Sequence, residues 1–139
     1  MSIGKQTVIN YVSYMTDSYL LFTLQNYAAK LVEKETSPKY YFMDTGLLGL
    51  MLLDCKSAQL ENLVAIELIR RYGTENVYFF ENNVEIDFYI PLDNLAIQVS
   101  MQVLDNIDTR ERETRAFVKL NNFIPVSYTH LRAHETSLH

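Results

Sequence analysis

The chain has 139 residues, of which 48% are hydrophobic and 12% aromatic, enough for one domain with a buried core and too apolar for general disorder. Seventeen acidic against twelve basic side chains give a formal charge of -5, which excludes whole-molecule attraction to nucleic acid or an anionic membrane, so any nucleic-acid contact has to be local. The single cysteine, Cys55, excludes an internal disulfide, and the longest apolar run, residues 46–53, falls far short of the ~20 residues of a membrane span; with no apolar signal after Met1, a soluble, cytoplasmic protein is expected.

In chain order, Val8, Ile9, Val12 and Met15 recur at helical spacing over residues 5–16, with Tyr11 and Tyr14 widening the stripe, and predict a short amphipathic helix. Residues 19–28 and 39–43 are rich in aromatic and aliphatic side chains on either side of a polar link containing Pro38, a pattern that predicts a β-hairpin or wing. Asp44-Thr45-Gly46 then breaks the strand, and Thr45 is placed to cap a short apolar helix over residues 47–53. A longer helix is expected over residues 58–72, ending in Arg70, Arg71 and Gly73, the cations and glycine that suit a helix C-terminus. Leu60, Leu63, Val64, Ile66, Leu68 and Ile69 cover most of its circumference, which predicts burial all round and makes Glu61 and Glu67 conspicuous. Strands are expected over residues 76–80, 84–90 and 95–101. A last helix over residues 109–121 would turn Ala116, Phe117 and Leu120 inward and a mixed row of Arg and Glu outward.

The second and third of these strands carry the candidate chemistry. If residues 91–94 form a four-residue loop, antiparallel pairing joins Ile90 with Leu95, Phe88 with Ile97 and Ile86 with Val99. The same register sets Asp87 opposite Gln98 and Glu85 opposite Ser100 on the other face. Two carboxylates two residues apart, joined by a carboxamide from the neighbouring strand, suit a hard divalent cation such as Mg²⁺ in phosphodiester hydrolysis, with Glu85 and Asp87 as the metal ligands. Alternation of this kind is equally the mark of a half-exposed hairpin, and a glutamate in a first helical turn, such as Glu61, is stabilised by the helix dipole without any catalytic role.

Four motifs add a resemblance. Lys39-Tyr40-Tyr41-Phe42-Met43-Asp44-Thr45-Gly46-Leu47, then Leu60-Glu61-Asn62-Leu63-Val64 through Glu67-Leu68 to Arg70-Arg71, then Glu85-Ile86-Asp87-Phe88, then Ile97-Gln98-Val99 resemble in order a C-terminal domain of unknown function that follows the ATPase core in prokaryotic AAA-family ATPases. The likeness spans residues 2–123, and residues 2–21 resemble the helix-turn-helix-like segment that joins core and domain. The resemblance implies a PD-(D/E)XK nuclease-like α/β fold, a mixed sheet flanked by helices with an acidic cluster at one end, preceded by a helix and β-wing. It divides the chain into a helix-and-wing linker (1–38), a truncated nuclease-like domain (39–125) and a tail (126–139). Carried over position by position, Glu61 matches the core-helix glutamate, Asp87 the strand aspartate and Gln98 the acidic or amide position. Ser100 stands where the nucleases keep lysine, and without that cation transition-state stabilisation is weakened. The implied function is therefore a degenerate, non-catalytic module for binding DNA or a protein partner. The alternatives are an active metal-dependent nuclease using Glu61, Glu85, Asp87 and Gln98, and a pure protein-interaction module. No phosphate-binding loop is present in the sequence, so ATP is expected only in an upstream ATPase core, and no cofactor in this fragment.

Residues 126–136 show neither helical nor strand period. Back-translated, they resemble a transposase adapter used in preparing sequencing libraries, and are expected to be read-through, with natural sequence stopping near Pro125. All three histidines, His130, His134 and His139, fall in that tail.

Overall fold

A computed structural model describes residues 2–51, 56–102, 111, 114, 115, 118 and 127–134. Its elements are α1 (Lys5–Asp17), β1 (Leu21–Asn26), α2 (Tyr27–Leu31), β2 (Lys39–Phe42), α3 (Thr45–Met51), α4 (Lys56–Tyr72), β3 (Tyr78–Glu81), β4 (Glu85–Ile90), β5 (Leu95–Gln102) and β6 (Ser127–His134). The strands form one six-stranded mixed sheet in the order β2-β1-β3-β4-β5-β6. Antiparallel pairing joins β1 to β2, β3 to β4 and β4 to β5, while β1–β3 and β5–β6 are parallel.

The early hairpin forms as expected, with Leu21 opposite Phe42 and Leu24 opposite Lys39. It is not a free wing. The second edge of β1 pairs with β3 through Gln25 and Asn26, so the boundary expected at residue 38 falls between two paired strands of one sheet. The first strand is also shorter than its apolar run. Asn26 accepts the Ala28 amide in its side chain and starts α2, and the same side chain bonds both backbone groups of Glu81 at 3.0 Å. At α3 the cap belongs to Asp44, whose Oδ1 accepts the Gly46 amide at 2.8 Å; the expected cap, Thr45, is the first helical residue instead.

Phe79 and Phe80 are neighbours on β3 and fall in different core clusters, which places the clusters on opposite faces of the sheet. On one face, Ala65 and Leu68 of α4 pack with Phe22, Leu24, Tyr41, Phe88, Ile90, Ile97 and Val99; on the other, Tyr27 and Ala28 of α2 cover Phe80, Ile86, Tyr89 and Ala96. Burying these side chains at roughly 25 cal/mol per Å² of apolar area supplies the main driving force for folding. The all-round burial expected of α4 does not occur. Only Asn62, Ala65 and Leu68 are buried, and Leu63 is 57% exposed, because one sheet face offers a helix only one contact stripe.

Near the turn the β4–β5 register is the expected one, with Ile90 opposite Leu95 and Phe88 opposite Ile97, and Asn94 closes the turn in the left-handed region. The expected pairing of Ile86 with Val99 does not form, since the two lie in core clusters on opposite faces, and the ladder does not extend to Asp87–Gln98 or Glu85–Ser100. Its second face is not a polar surface, since Ile86, Tyr89 and Ala96 are buried there. Ile86 and Tyr89, three residues apart, share that cluster while Phe88 lies in the other. The β3–β4 register shift between Tyr78 and Phe80 supplies the irregular step that this odd spacing requires.

Glu111, Thr114, Arg115 and Val118 are exposed and helical, with Arg115 3.3 Å from Glu111, as a solvated helix face requires; Ala116, Phe117 and Leu120 lie outside the described residues. Residues 127–134 form β6 despite lacking a strand period, paired from Leu95–Ser127 to Gln102–His134. A sheet edge recruits a strand through main-chain donors and acceptors, so period is no requirement there.

Candidate functional site

Two elements bring three acidic side chains to one place. Glu61 rises from the second turn of α4, while Glu85 and Asp87 come from the start of β4. A third element, β2, supplies the group that links them. Lys39 Nζ lies 2.8 Å from Glu85 Oε1, 3.9 Å from Glu61 Oε1 and 3.9 Å from Asp87 Oδ1. Tyr41, two residues on and therefore on the same face of β2, donates its hydroxyl to Glu61 Oε1 at 2.8 Å.

The hairpin closes the floor of the site with side chains rather than a regular ladder. The Asp87 amide donates to Gln98 Oε1 at 3.2 Å, and the Val99 amide donates to Asp87 Oδ2 at 2.9 Å. Asp87 and Gln98 are thus brought together, through a main-chain to side-chain bond rather than as the ladder pair expected. Ser100 has interactions of its own, and it is Lys39 that provides the ammonium at the cluster.

Burial sets the electrostatics. Asp87 is only 6% exposed, and desolvation, reinforced by the Glu61 charge, pushes its carboxyl up to about 6 against the pull of the Val99 amide and Lys39. For Lys39 burial works against the charge. The hydrogen bond that Lys39 donates to Glu85 and the charges of Glu61, Glu85 and Asp87 outweigh it and hold the ammonium above its ordinary range. Tyr41 is raised far above a free phenol by burial and the adjacent Glu61, and stays a neutral donor.

Asn62 anchors the site from below. It is 2% exposed, and its amide clamps Phe42, accepting from the Phe42 N–H at 2.8 Å and donating to the Phe42 carbonyl at 2.9 Å. This fixes α4 against β2, and so Glu61 against Tyr41 and Lys39. Of the other charged residues singled out on α4, Glu67 pairs with Arg70 at the surface, and Arg71 is exposed at the helix end.

Lys39, Tyr41 and Asn62 escape a sequence reading aimed at carboxylates. The available signal was the two-residue step from Lys39 to Tyr41, which puts both on one side of a strand. Among the described residues, no group of three or more His, Cys, Asp and Glu side chains is arranged to hold a metal ion.

Residues 1–77 match a family described as a domain of unknown function, DUF8612. The chain belongs to that family. The DUF8612 match takes in Lys39, Tyr41, Glu61 and Asn62 and ends before Glu85. The chain is also similar to an uncharacterized protein, MJ1544, of the archaeon Methanocaldococcus jannaschii, with 35% identity over 121 residues. That alignment covers 84% of this chain and 27% of the relative, so the DUF8612 chain spans about a quarter of its archaeal relative's length. No solved structure matches it. Among the described residues, no helix is long and apolar enough to cross a membrane.

Proposed function

We propose that this chain is the nuclease-like C-terminal module of a larger AAA-family ATPase, and that its acidic site is degenerate, serving binding or positioning on DNA or a protein partner rather than hydrolysis. One observation carries the reading. Every side chain that would ligate a metal already accepts a donor from the protein: Glu61 from Tyr41, Glu85 from Lys39, Asp87 from the Val99 amide and Gln98 from the Asp87 amide. The Lys39 ammonium lies within 4 Å of all three carboxylates and neutralises one of their charges where a divalent cation would otherwise be needed.

A mixed sheet with helical cover on both faces and the acidic cluster at the helix–hairpin junction supports the nuclease-like reading. The ATPase parentage draws on the four ordered motifs and on a relative of which this chain spans only 27%. In such a parent, ATP would bind in the part outside this chain, and residues 2–21 would belong to the connection.

To hold a metal, Glu61, Glu85 and Asp87 would first have to exchange their protein donors for it, and Mg²⁺ would then supply charge stabilisation for a phosphoryl group. An active nuclease is the second reading, and Lys39 favours it, because it supplies from β2 the cation that Ser100 lacks. Calorimetric titration with Mg²⁺ and Mn²⁺ separates the two. The degenerate site gives no saturable heat at millimolar metal, whereas saturable binding abolished by Asp87→Ala would favour the nuclease.

A further inference from the structure

On the opposite side of β1 and β3 from α4, a cavity of about 490 Å³ opens beside α2. Its wall includes Lys30, Lys34, Gln25, Thr36 and Tyr78, with Glu35 as its one acidic residue. In a chain of net charge -5, a cavity with two ammonium groups against one carboxylate is a local reversal of sign.

The reversal is built into the backbone. After α2 the chain turns back on itself: the Lys34 amide bonds the Ala29 carbonyl at 2.9 Å and the Glu33 amide bonds the Lys30 carbonyl at 3.3 Å. These two bonds make a Schellman turn, which needs a left-handed residue, and here that residue is Glu33 with φ 52 rather than glycine. A non-glycine residue there costs about 1 kcal/mol, and the turn returns Lys34 to the cavity that Lys30 lines.

Lys30 itself is held in place. Tyr78 donates its hydroxyl to the Glu75 carbonyl at 2.9 Å, which leaves a lone pair to accept the Lys30 ammonium at 2.6 Å, and the ammonium also lies 4.6 Å from the Tyr78 ring centre. Tyr27 supports that ring edge-on, with centroids 5.2 Å apart. Asn26, through its bonds to Ala28 and Glu81, ties the helix to the sheet. Two further residues with polar side chains, Gln25 and Thr36, line the same space.

We infer that this cavity is an anion site for a phosphate group, carried by a nucleic-acid backbone or free in solution. It is separate from the carboxylate cluster, and its existence does not depend on whether that cluster is degenerate. Lys30 and Lys34 supply the charge, and the Tyr78 and Tyr27 rings give an adjoining apolar surface.

Two probes test it on the whole chain. Inorganic phosphate is titrated while the Lys30 and Lys34 side-chain signals are followed by NMR, and a short labelled single-stranded oligonucleotide is titrated by fluorescence anisotropy at several salt concentrations. A saturable response to either probe is expected, with both lysine signals shifting in the phosphate titration; a response to phosphate alone marks a free anion as the ligand, and a response to the oligonucleotide marks a backbone phosphate. Lys34→Gln, whose side chain has no hydrogen bond or ion pair within the described structure, weakens binding roughly three- to tenfold and lowers the salt slope by about one; Lys30→Gln does the same. A response to neither probe, or binding that both substitutions leave unchanged, would overturn the site.

Discussion

Lys39 Nζ stands 2.8 Å from Glu85 Oε1, and that bond sets the character of the acidic cluster. It joins an outer strand of the sheet to the start of the hairpin, and the same ammonium faces Glu61 and Asp87. Without it, three carboxylates would share one partly dehydrated space with only neutral donors to hold them.

Replacing Lys39 with Met should therefore destabilise the fold at neutral pH. The side chain retains about a quarter of its exposure and Glu85 more than half, so solvent screening limits the loss to about 1 kcal/mol. Urea denaturation at pH 7 measures this. The deficit should shrink at acid pH, where the carboxylates are protonated and no longer repel one another.

Asp87 makes a sharper pH prediction. Its folded carboxyl titrates at about 6, above the ordinary 3.8, so the folded protein holds this proton more tightly than the unfolded chain does. Its contribution to stability is complete below pH ~4, is lost as pH rises from there through about 6, and stays lost above; a shift of this size corresponds to about 3 kcal/mol. Asp87→Asn abolishes the titration while keeping an oxygen for the Val99 amide. Denaturation curves from pH 4 to pH 7 should show the variant gaining on the parent protein as pH rises, and parallel pH profiles would contradict the placement of Asp87.

Asn62→Ala should be among the most damaging single changes at the site. It removes both bonds to Phe42 and strands that residue's N–H and C=O beside a helix, at a cost of about 2–4 kcal/mol by chemical denaturation. Asn62→Asp keeps the acceptor and loses the donor, and should recover part of the loss.

Leu63 and Ala65 test which face of α4 is inside. Leu63 is 57% exposed, so Leu63→Glu should change stability by less than about 1 kcal/mol. Ala65 has no exposed surface, and Ala65→Leu should cost about 1–3 kcal/mol through overpacking. Thermal melts of the two variants measured side by side give the comparison.

These cases mark what the residues disclose. The pairing of Phe88 with Ile97 was legible because alternation on two strands and a four-residue loop agree on one register. The company of Asp87 and Gln98 followed from it. Burial of α4 is not legible in this way, because an apolar circumference states what a helix could bury, whereas the sheet decides which stripe it does bury. Lys39 was invisible as a site residue for a different reason. It reaches Glu85 across a separation of 46 residues, through a β1–β3 pairing that no local pattern encodes. Residues 127–134 fall in the same class, since the β5 edge, rather than their own period, makes them a strand.

The most direct test of the central claim is a DNA cleavage assay with Mg²⁺ or Mn²⁺ on a full-length version of the protein, run beside its Asp87→Ala and Lys39→Ala variants. A self-neutralised acidic site predicts no metal-dependent cleavage by any of the three. Cleavage by the parent protein that is lost in both variants would contradict it and make Lys39 part of an active nuclease centre.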